Sequence, residues 1–401
     1  MDGLRIGVDV GGTFTDFVLY DPEEGTYRTL KVLSTPGDPS EGVRQGLGRA
    51  DADDPAEVVH GSTVATNAVL ERKGARTALV TTEGFRDLLS IARQERADLY
   101  DLAAGRPEPL VPRELCFAVD ERVDAGGNVL GEPGDEELEE LARRLEAADV
   151  ESVAVSLLFS FLHPEHEERV ADRLREAGMH VSRSSEILPE FREYERASTT
   201  AVNAFVAPIL DRYLERLDRR LSGSRFRIMQ SNGGSVGTEE ARRHGVRSIL
   251  SGPAGGAVGA LRVARAAGRD RVVSFDMGGT STDVSLMRGD VEVTTEAKIG
   301  GLPIRVPVVD IHTVGAGGGS VGRVDAGGAL RVGPESAGAD PGPACYGRGG
   351  ERPTVTDAHV VLGRLPPDAF LGGRVTLDAG RAEAALSGLA SATGCAFDIS
   401  G

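Results

Sequence analysis

The chain has 401 residues, 40% of them apolar, 53 glycines and a formal charge of −17. That length leaves room for two or three domains with real cores, and excludes a disordered tail. The acidity, the 4% aromatic content and the absence of Trp exclude a general binder of nucleic acid or anionic membrane and a base-stacking platform. The glycines follow no period of three, so collagen is excluded and they must serve turns and close approaches of backbone. Any phosphate held by so acidic a protein is expected on backbone N–H groups and hydroxyls. Cys116, Cys345 and Cys395 are scattered with no Cys-x-x-Cys, which points to a reducing compartment and no cysteine-built metal site. The start Met1-Asp2-Gly3-Leu4-Arg5 lacks the pattern of a signal peptide, and the apolar stretch Val153 to Leu162 is too short to span a bilayer. The expectation is a soluble cytoplasmic protein.

In chain order, Leu4 to Val10 reads as an apolar strand, Gly11 to Thr15 as a turn and Asp16 to Tyr20 as a second strand. Residues 58 to 60 read as a strand end. Ser62 or Thr63 is expected to cap a helix reaching about Lys73, with Gly74 as its stop. Thr77 to Thr81 is a strand, and the proline-bearing stretch 98 to 114 a long loop. Leu138, Leu141 and Leu145 share one face of a helix over Asp135 to Ala148, with acids in its first turn. Val153 to Phe159 reads as a buried strand, Pro164 opens a charged helix to Gly178, and His163 and His166 are expected to be solvated there. Glu190 to about Leu221 is mostly helical, with Pro208 as a kink or break. Arg225 to Gln230 is a strand and Gly255 to Ala267 a helix. Val272 to Asp276, Val284 to Met287 and Val291 to Thr295 are strands. The alternation predicts an α/β fold with a boundary near 185, dividing the chain into 1–185 and 186–401. Residues 231–350 hold 27 of the 53 glycines, so the second part is the more loop-built.

The most informative feature is an internal repeat. Asp9-Val10-Gly11-Gly12-Thr13-Phe14-Thr15-Asp16 returns as Asp276-Met277-Gly278-Gly279-Thr280-Ser281-Thr282-Asp283, identical at six of eight positions. An apolar strand precedes each copy and an alternating strand follows it. Adjacent glycines let a turn present its N–H groups to an anion, and threonine hydroxyls add neutral donors. The aspartates cannot touch phosphate directly, but they can hold Mg²⁺ or orient an attacking group. The candidate phosphate-binding residues are therefore Gly11, Gly12, Thr13, Thr15, Gly278, Gly279, Thr280 and Thr282. Asp9 and Asp276 are the candidates for Mg²⁺ and water positioning, and Asp16 and Asp283 for supporting or catalytic carboxylates.

This doubled Asp-x-Gly-Gly-Thr-x-Thr-Asp resembles the phosphate loops of the actin-like ATPase and sugar kinase superfamily. The chain more closely resembles the hydantoinase A/5-oxoprolinase family, which includes acetone and acetophenone carboxylase subunits. The stretches that carry the likeness are His60 to Asn67, Leu188 to Arg196, Met229 to Gly234, Ser251 to Gly256, Asp310 to Ser320 and Ala339 to Gly347. The resemblance implies two ribonuclease-H-like lobes around a nucleotide cleft, with ATP and Mg²⁺ as cofactors. It also implies a hydantoinase B-type partner subunit, an oligomer, and ATP-dependent opening of a cyclic amide or imide through phosphorylation of its carbonyl oxygen. It leaves three other readings: an ATP-dependent ketone carboxylase subunit, a sugar-kinase-like phosphotransferase, and a non-catalytic fragment acting as an assembly surface. Family members run beyond 401 residues with a further Gly-Gly segment, so a C-terminally truncated span is expected.

Other candidates carry two readings each. Asp310 and His312 alternate, so on one strand they would share a side, either as a second divalent metal or catalytic pair or as a hydrogen-bonded structural pair. His60 is a ligand or a buried hydrogen-bonded histidine, and Cys345 a nucleophile or a small apolar side chain. Ser251 to Gly256 is an anion-holding helix start or an ordinary one. Gly317 to Gly322 fits Gly-x-Gly-x-x-Gly, but a strand-like stretch follows where a dinucleotide site needs a helix. A glycine-rich active-site loop is the favoured reading there, against plain turn usage.

Overall fold

The computed structural model describes residues 3–11, 14–35, 38–50, 52, 55–95, 100, 108–338, 340–370, 373 and 375–393. Gly12, Thr13, Cys395 and most of the expected 98–114 loop lie outside the described residues. Two compact units divide the chain: residues up to Gly255 with Val293–Val309, and Gly256–Glu292 with Asp310 onward. The sequence boundary near 185 falls inside the first unit.

The first unit opens with an antiparallel meander of β1 (Arg5–Val10), β2 (Phe14–Asp21) and β3 (Thr26–Leu33). Helix α1 (Pro39–Arg49) follows, with Asp38 accepting from the Ser40 N–H and Pro39 in the first turn, where a missing N–H costs nothing. Strand β4 (Glu57–Ser62) then lies parallel to β1. β1 alternates strictly, with Ile6, Val8 and Val10 buried and Arg5, Gly7 and Asp9 exposed. That period of two puts one face on a core and the other outside.

Helix α2 (Val64–Leu70) leads to a second, all-parallel sheet. Its strands are β5 (Thr77–Thr82), β6 (Cys116–Val119), β7 (Ser152–Ser156) and β8 (His180–Arg183), in the order β8-β7-β5-β6. β5 and β7 are buried throughout, as parallel strands covered on both faces must be. Helix α3 (Asp135–Ala147) turns Leu138, Leu141 and Leu145 into this core, as its spacing predicted. Helix α4 (Glu165–Glu176) buries Val170 and Leu174 there too. The expectation that His166 is solvated is corrected. It is 5% exposed, and its Nδ1 lies 2.9 Å from a carboxylate oxygen of buried Glu121. The acid that draws it inward lies 45 residues upstream, so no local pattern announced it.

Helix α5 (Glu193–Arg220) is continuous through Pro208. Successive stretches of it enter three cores: Ala197, Ala201 and Ala204 on the parallel sheet, Val206 and Leu210 in a middle cluster, and Tyr213, Leu214 and Leu217 beneath β1. Strand β9 (Arg225–Met229) then pairs parallel with β4 and antiparallel with β10 (Ser235–Val236). The first sheet thus has the order β10-β9-β4-β1-β2-β3. Helix α6 (Ser251–Ala266) begins in this unit, and its residues from Gly256 onward belong to the second.

In the second unit, β11 (Arg271–Met277) and β12 (Thr282–Arg288) form an antiparallel hairpin, and β13 (His312–Val314) pairs with β12. The β14 (Ser320–Val324) and β15 (Leu330–Ser336) ribbon follows. Helices α7 (Val355–Val361) and α8 (Ala379–Thr393) close the unit around Cys345, Val360, Leu377 and Ala382. Thr354 and Asp357 form a reciprocal cap on α7, the capping-box logic of a Thr-x-x-acid start.

Candidate nucleotide-binding hairpins

The two copies of the repeat fold alike. In the first, Gly11 N–H donates to the Phe14 carbonyl at 2.9 Å, and in the second, Gly278 N–H donates to the Ser281 carbonyl at 2.9 Å. Asp9 stands opposite Asp16 across β1 and β2, and Asp276 opposite Asp283 across β11 and β12. Two carboxylates directly across a strand pair repel, and each copy relieves this from its third strand. Lys31, opposite Asp16 on β3, is 2.8 Å from an Asp16 carboxylate oxygen. Thr313, opposite Asp283 on β13, donates its hydroxyl to Asp283 Oδ1 at 2.6 Å. Asp16 and Asp283 are thus held by neighbours, and Asp9 and Asp276 are the exposed members of their pairs.

The second threonine of each motif lies beneath its turn. Thr15 is fully buried, with its hydroxyl 3.0 Å from that of Ser34, and Ser34 donates to the Gly11 carbonyl at 2.7 Å. Thr282 is 5% exposed and donates to the Ala316 carbonyl at 2.5 Å. Thr15 thus joins a hydroxyl pair tied to its own turn, and Thr282 ties its strand to the glycine loop after β13. Thr280, Gly278 and Gly279 remain exposed.

The glycine loop after β13 packs onto the second turn. Gly318 N–H donates to the Gly278 carbonyl at 2.9 Å and Gly319 N–H to the Gly279 carbonyl at 2.7 Å. A Cβ at Gly317 would lie 2.7 Å from backbone atoms of Gly278, Gly279 and Thr280. Thr356, on α7, donates to the Gly318 carbonyl at 2.8 Å and fixes the loop from behind. Ser34, Thr313 and Thr356 were not legible as site residues, because each reaches its turn across a strand or from a distant helix.

Glycines also crowd the two exposed aspartates. A Cβ at Gly61 or at Gly252 would lie 3.1 and 3.2 Å from Asp9 Oδ1. Gly252 sits in the first turn of α6, whose N-terminal dipole favours a nearby negative charge. In the second unit, a Cβ at Gly256 would lie 3.8 Å from Asp276 Oδ2. The stretches His60 to Asn67 and Ser251 to Gly256 thus bring small residues against Asp9. His60, directly before Gly61, is buried with Nε2 2.8 Å from the Tyr213 hydroxyl. Burial depresses its pKa to about 4, so at neutral pH it is an uncharged member of the core.

The remaining candidates are placed as follows. Asp310 lies between strands and not on one, so the shared strand face expected for Asp310 and His312 does not form. Asp310 uses its backbone, donating to Glu292 and accepting from Ser285, and both Asp310 and His312 are exposed. Among the described residues, no group of three or more His, Cys, Asp or Glu side chains is arranged to hold a metal ion. Cys345 is buried, and its thiol pKa is pushed far up by that burial and by Asp357, which argues against a nucleophile. Asp357 accepts from the N–H groups of Cys345 and Thr354 and from the Thr354 hydroxyl, so its role is structural.

Two family models between them span both copies of the hairpin. The hydantoinase/oxoprolinase N-terminal region matches residues 5–178 and the hydantoinase/oxoprolinase domain matches 196–398. The chain belongs to the hydantoinase/oxoprolinase family. Its similar relatives include the caprolactamase alpha subunit of Pseudomonas jessenii, 39% identical over 93% of this chain and 56% of that one. They also include 5-oxoprolinase 1 of Arabidopsis thaliana, 40% identical over 92% of this chain and 32% of that one. The ATP-dependent caprolactamase crystal structure matches with a TM-score of 0.82 at 37% identity, covering 98% of this chain and 60% of that one. Nucleotide-free acetone carboxylase matches with a TM-score of 0.81 at 31% identity, with the same coverage. The hydantoinase/oxoprolinase chain described here therefore has their α/β, actin-like ATPase type of fold, and spans less than two thirds of the relatives it matches. Among the described residues, no helix is long and apolar enough to cross a membrane.

Proposed function

We propose that this chain is the nucleotide-handling part of an ATP-dependent enzyme that opens a cyclic amide or imide of the hydantoin, 5-oxoproline or lactam type. The observation that carries the reading is the duplicated hairpin, with the same closing hydrogen bond, a buried second threonine and the same cross-strand carboxylate pair in both copies. Membership of a family whose relatives include 5-oxoprolinase and an ATP-dependent caprolactamase supports it.

The residues fit a Mg²⁺–ATP ligand on one structural ground. The space beside Asp9 Oδ1 would be taken by a Cβ at Gly61 or Gly252, so small residues keep the approach to that carboxylate open. When bound, ATP would supply a phosphoryl group to the amide carbonyl oxygen and turn a poor electrophile into one that water opens. Asp9 and Asp276 would hold Mg²⁺ or its water shell, since carboxylate oxygens suit that ion. The Gly279 N–H and the Thr280 hydroxyl would donate to phosphate oxygens, with Gly12 and Thr13 in the same role in the first copy, while the Gly11 and Gly278 N–H groups close their turns. Thr15 and Thr282 would hold the turns in shape, and Asp16 and Asp283, tied to Lys31 and Thr313, would set the field around the exposed aspartates. Asp310 and His312 would contribute only as outer carboxylate and imidazole, with a second divalent metal as their test.

A partner subunit of hydantoinase B type belongs to this reading, supported by the relative named as an alpha subunit. A second reading, a subunit activating a ketone for carboxylation, is favoured by the likeness to acetone carboxylase. The test is ATP turnover by the full-length protein with its partner, offered hydantoin, 5-oxoproline, caprolactam, acetone and acetophenone in turn. Stimulation by a cyclic amide supports the first reading. Stimulation only by ketones with bicarbonate supports the second, and no stimulation by any of them contradicts both.

A further inference from the structure

The first unit holds a cavity that neither hairpin lines. Its volume is about 1010 Å³, at the upper end of the small-molecule range. The helical turn Leu88–Ile91 and the residues after it, the start of α5, and the antiparallel pair Ala297–Ile299 and Leu302–Ile304 form its walls. All of them belong to the first unit. The floor is apolar, with Leu89, Ala201, Leu302 and Ile304 each at most 7% exposed. Ser198 donates its hydroxyl to the Pro303 carbonyl at 2.9 Å, and the Arg305 N–H donates to the Thr199 hydroxyl at 3.0 Å. These bonds tie the strand pair to α5, so the floor has a fixed shape.

Above this floor the cavity faces charges of both signs. One pair is satisfied internally, since Arg93 clamps Glu195 through two hydrogen bonds of 2.7 and 2.8 Å. Among the described residues, Arg192 and Lys298 form no ion pair, and neither do Glu95, Glu108 and Glu296. The chain's other two lysines, Lys31 and Lys73, are both ion-paired. Arg305 is only partly used. Glu190 stands 3.4 Å from its Nη1, yet Nε and Nη1 are buried with no hydrogen-bond partner. Its side chain is 17% exposed, so bulk water does not serve these donors. A buried donor without an acceptor is costly, and an acceptor in the cavity would remove that cost.

The backbone around the cavity is strained. Ala92 has φ 50° and ψ −144°, a combination that suits glycine. Gln94 has φ 55° and Arg192 φ 80°. Three of the seven non-glycine residues with positive φ among the described residues thus line this one cavity. Strain of this kind collects where a ligand must be met in one geometry. Arg192 is also the residue before α5, and no side chain caps that helix start. Its first N–H groups have no acceptor within the helix.

We propose that this cavity binds a small zwitterion, an amino acid whose carboxylate and ammonium stand at opposite ends of an aliphatic chain. The carboxylate takes the free donors of Arg305, with Arg192 and Lys298 adding positive field. The ammonium lies among Glu95, Glu108 and Glu296, and the chain between covers Leu89 and Leu302. A simple anion would leave three carboxylates facing it with nothing to meet them, and a simple cation would leave the three basic groups so. An uncharged ligand would meet neither set. A cavity of this size calls for charges set apart in the ligand, so that each reaches its own wall. No residue of either hairpin lines the cavity, so binding here is independent of the ATP reading.

The test is calorimetric titration of the full-length protein with 6-aminohexanoate, hexanoate and hexylammonium in turn. 6-Aminohexanoate should bind once per chain, and the two singly charged probes at least tenfold more weakly. Arg305→Gln should weaken 6-aminohexanoate at least tenfold. The exposed pair Arg192→Ala with Lys298→Ala should do the same without touching the floor, which covers the case in which Arg305→Gln fails to fold. Glu95→Gln with Glu296→Gln should bring 6-aminohexanoate down to the affinity of hexanoate. Asp9→Ala should leave 6-aminohexanoate binding within twofold of the parent. Absence of binding by 6-aminohexanoate would overturn the proposal. So would equal affinity for hexanoate, full affinity in the Arg192→Ala, Lys298→Ala variant, or loss of binding in Asp9→Ala, which would place the ligand at the hairpin.

Discussion

At the residue scale, Asp9 and Asp276 carry the chemical argument, because they are the exposed halves of two carboxylate pairs whose other halves are tied. Asp9→Ala removes a charge that stands across from Asp16. We expect Asp9→Ala and Asp276→Ala each to lower ATP turnover of the full-length enzyme at least a hundredfold, with thermal midpoints within a few degrees of the parent. His60 makes a separate prediction. Its pKa falls from 6.5 to about 4 through burial, so the unfolded chain binds the extra proton between those values. Its contribution is complete above about pH 6.5 and is lost as the pH drops toward 4, about 3 kcal/mol in all at ~1.4 kcal/mol per unit. His60→Gln should flatten the fall of the thermal midpoint between pH 6.5 and 4; an unchanged slope would refute this. The strand–turn–strand unit was legible in the sequence because the motif occurs twice. The burial of Thr15 and Thr282 was not, since a threonine in a glycine turn looks the same above the turn as below it.

At the element scale, the turns are held by packing that only glycine permits. Gly317→Ala would place a methyl group 2.7 Å from three backbone atoms of the second turn. It should cost on the order of 1–3 kcal/mol through overpacking, and should weaken nucleotide binding by displacing Gly278 and Gly279. Gly259 is the control, because a Cβ there meets nothing within 4 Å in the middle of α6. Gly259→Ala should raise stability by about 0.5–1 kcal/mol through helix propensity and leave binding unchanged. Denaturant melts of both variants decide the point. Strongly periodic helices were readable: α3 runs over Asp135–Ala147 against an expected Asp135 to Ala148. Short elements after β12 were not, because strands of two or three residues such as Ala297–Ile299 carry no period. Nor was the joining of β9 to β4, which brings residues 225–228 beside 57–60 and which no local signal encodes.

At the scale of the whole molecule, the repeat organises the fold. Each compact unit contains one copy, with Asp near the end of the first strand, a glycine turn, and a third strand that holds the second Asp, through the Lys31 ammonium in one and the Thr313 hydroxyl in the other. The likeness to caprolactamase and acetone carboxylase covers nearly all of this chain. The α/β class and the kinship were both legible, since long matching stretches recur from His60 to Gly347. The boundary near 185 falls between the two family matches at 5–178 and 196–398, while the compact units divide differently because α5 fills three cores of the first unit and β9 extends its sheet.

The proposed function requires both hairpins for nucleotide binding. Calorimetric titration of Mg²⁺–ATP into the full-length protein, its Asp9→Ala and Asp276→Ala forms and the double variant tests this most directly. The account predicts one ATP per chain and a loss of at least tenfold in affinity from either single substitution. The double variant should lose less than the product of the two single losses, because both residues act on one ligand. Unchanged affinity in both single variants, or two independent ATP sites each abolished by one substitution, would contradict it.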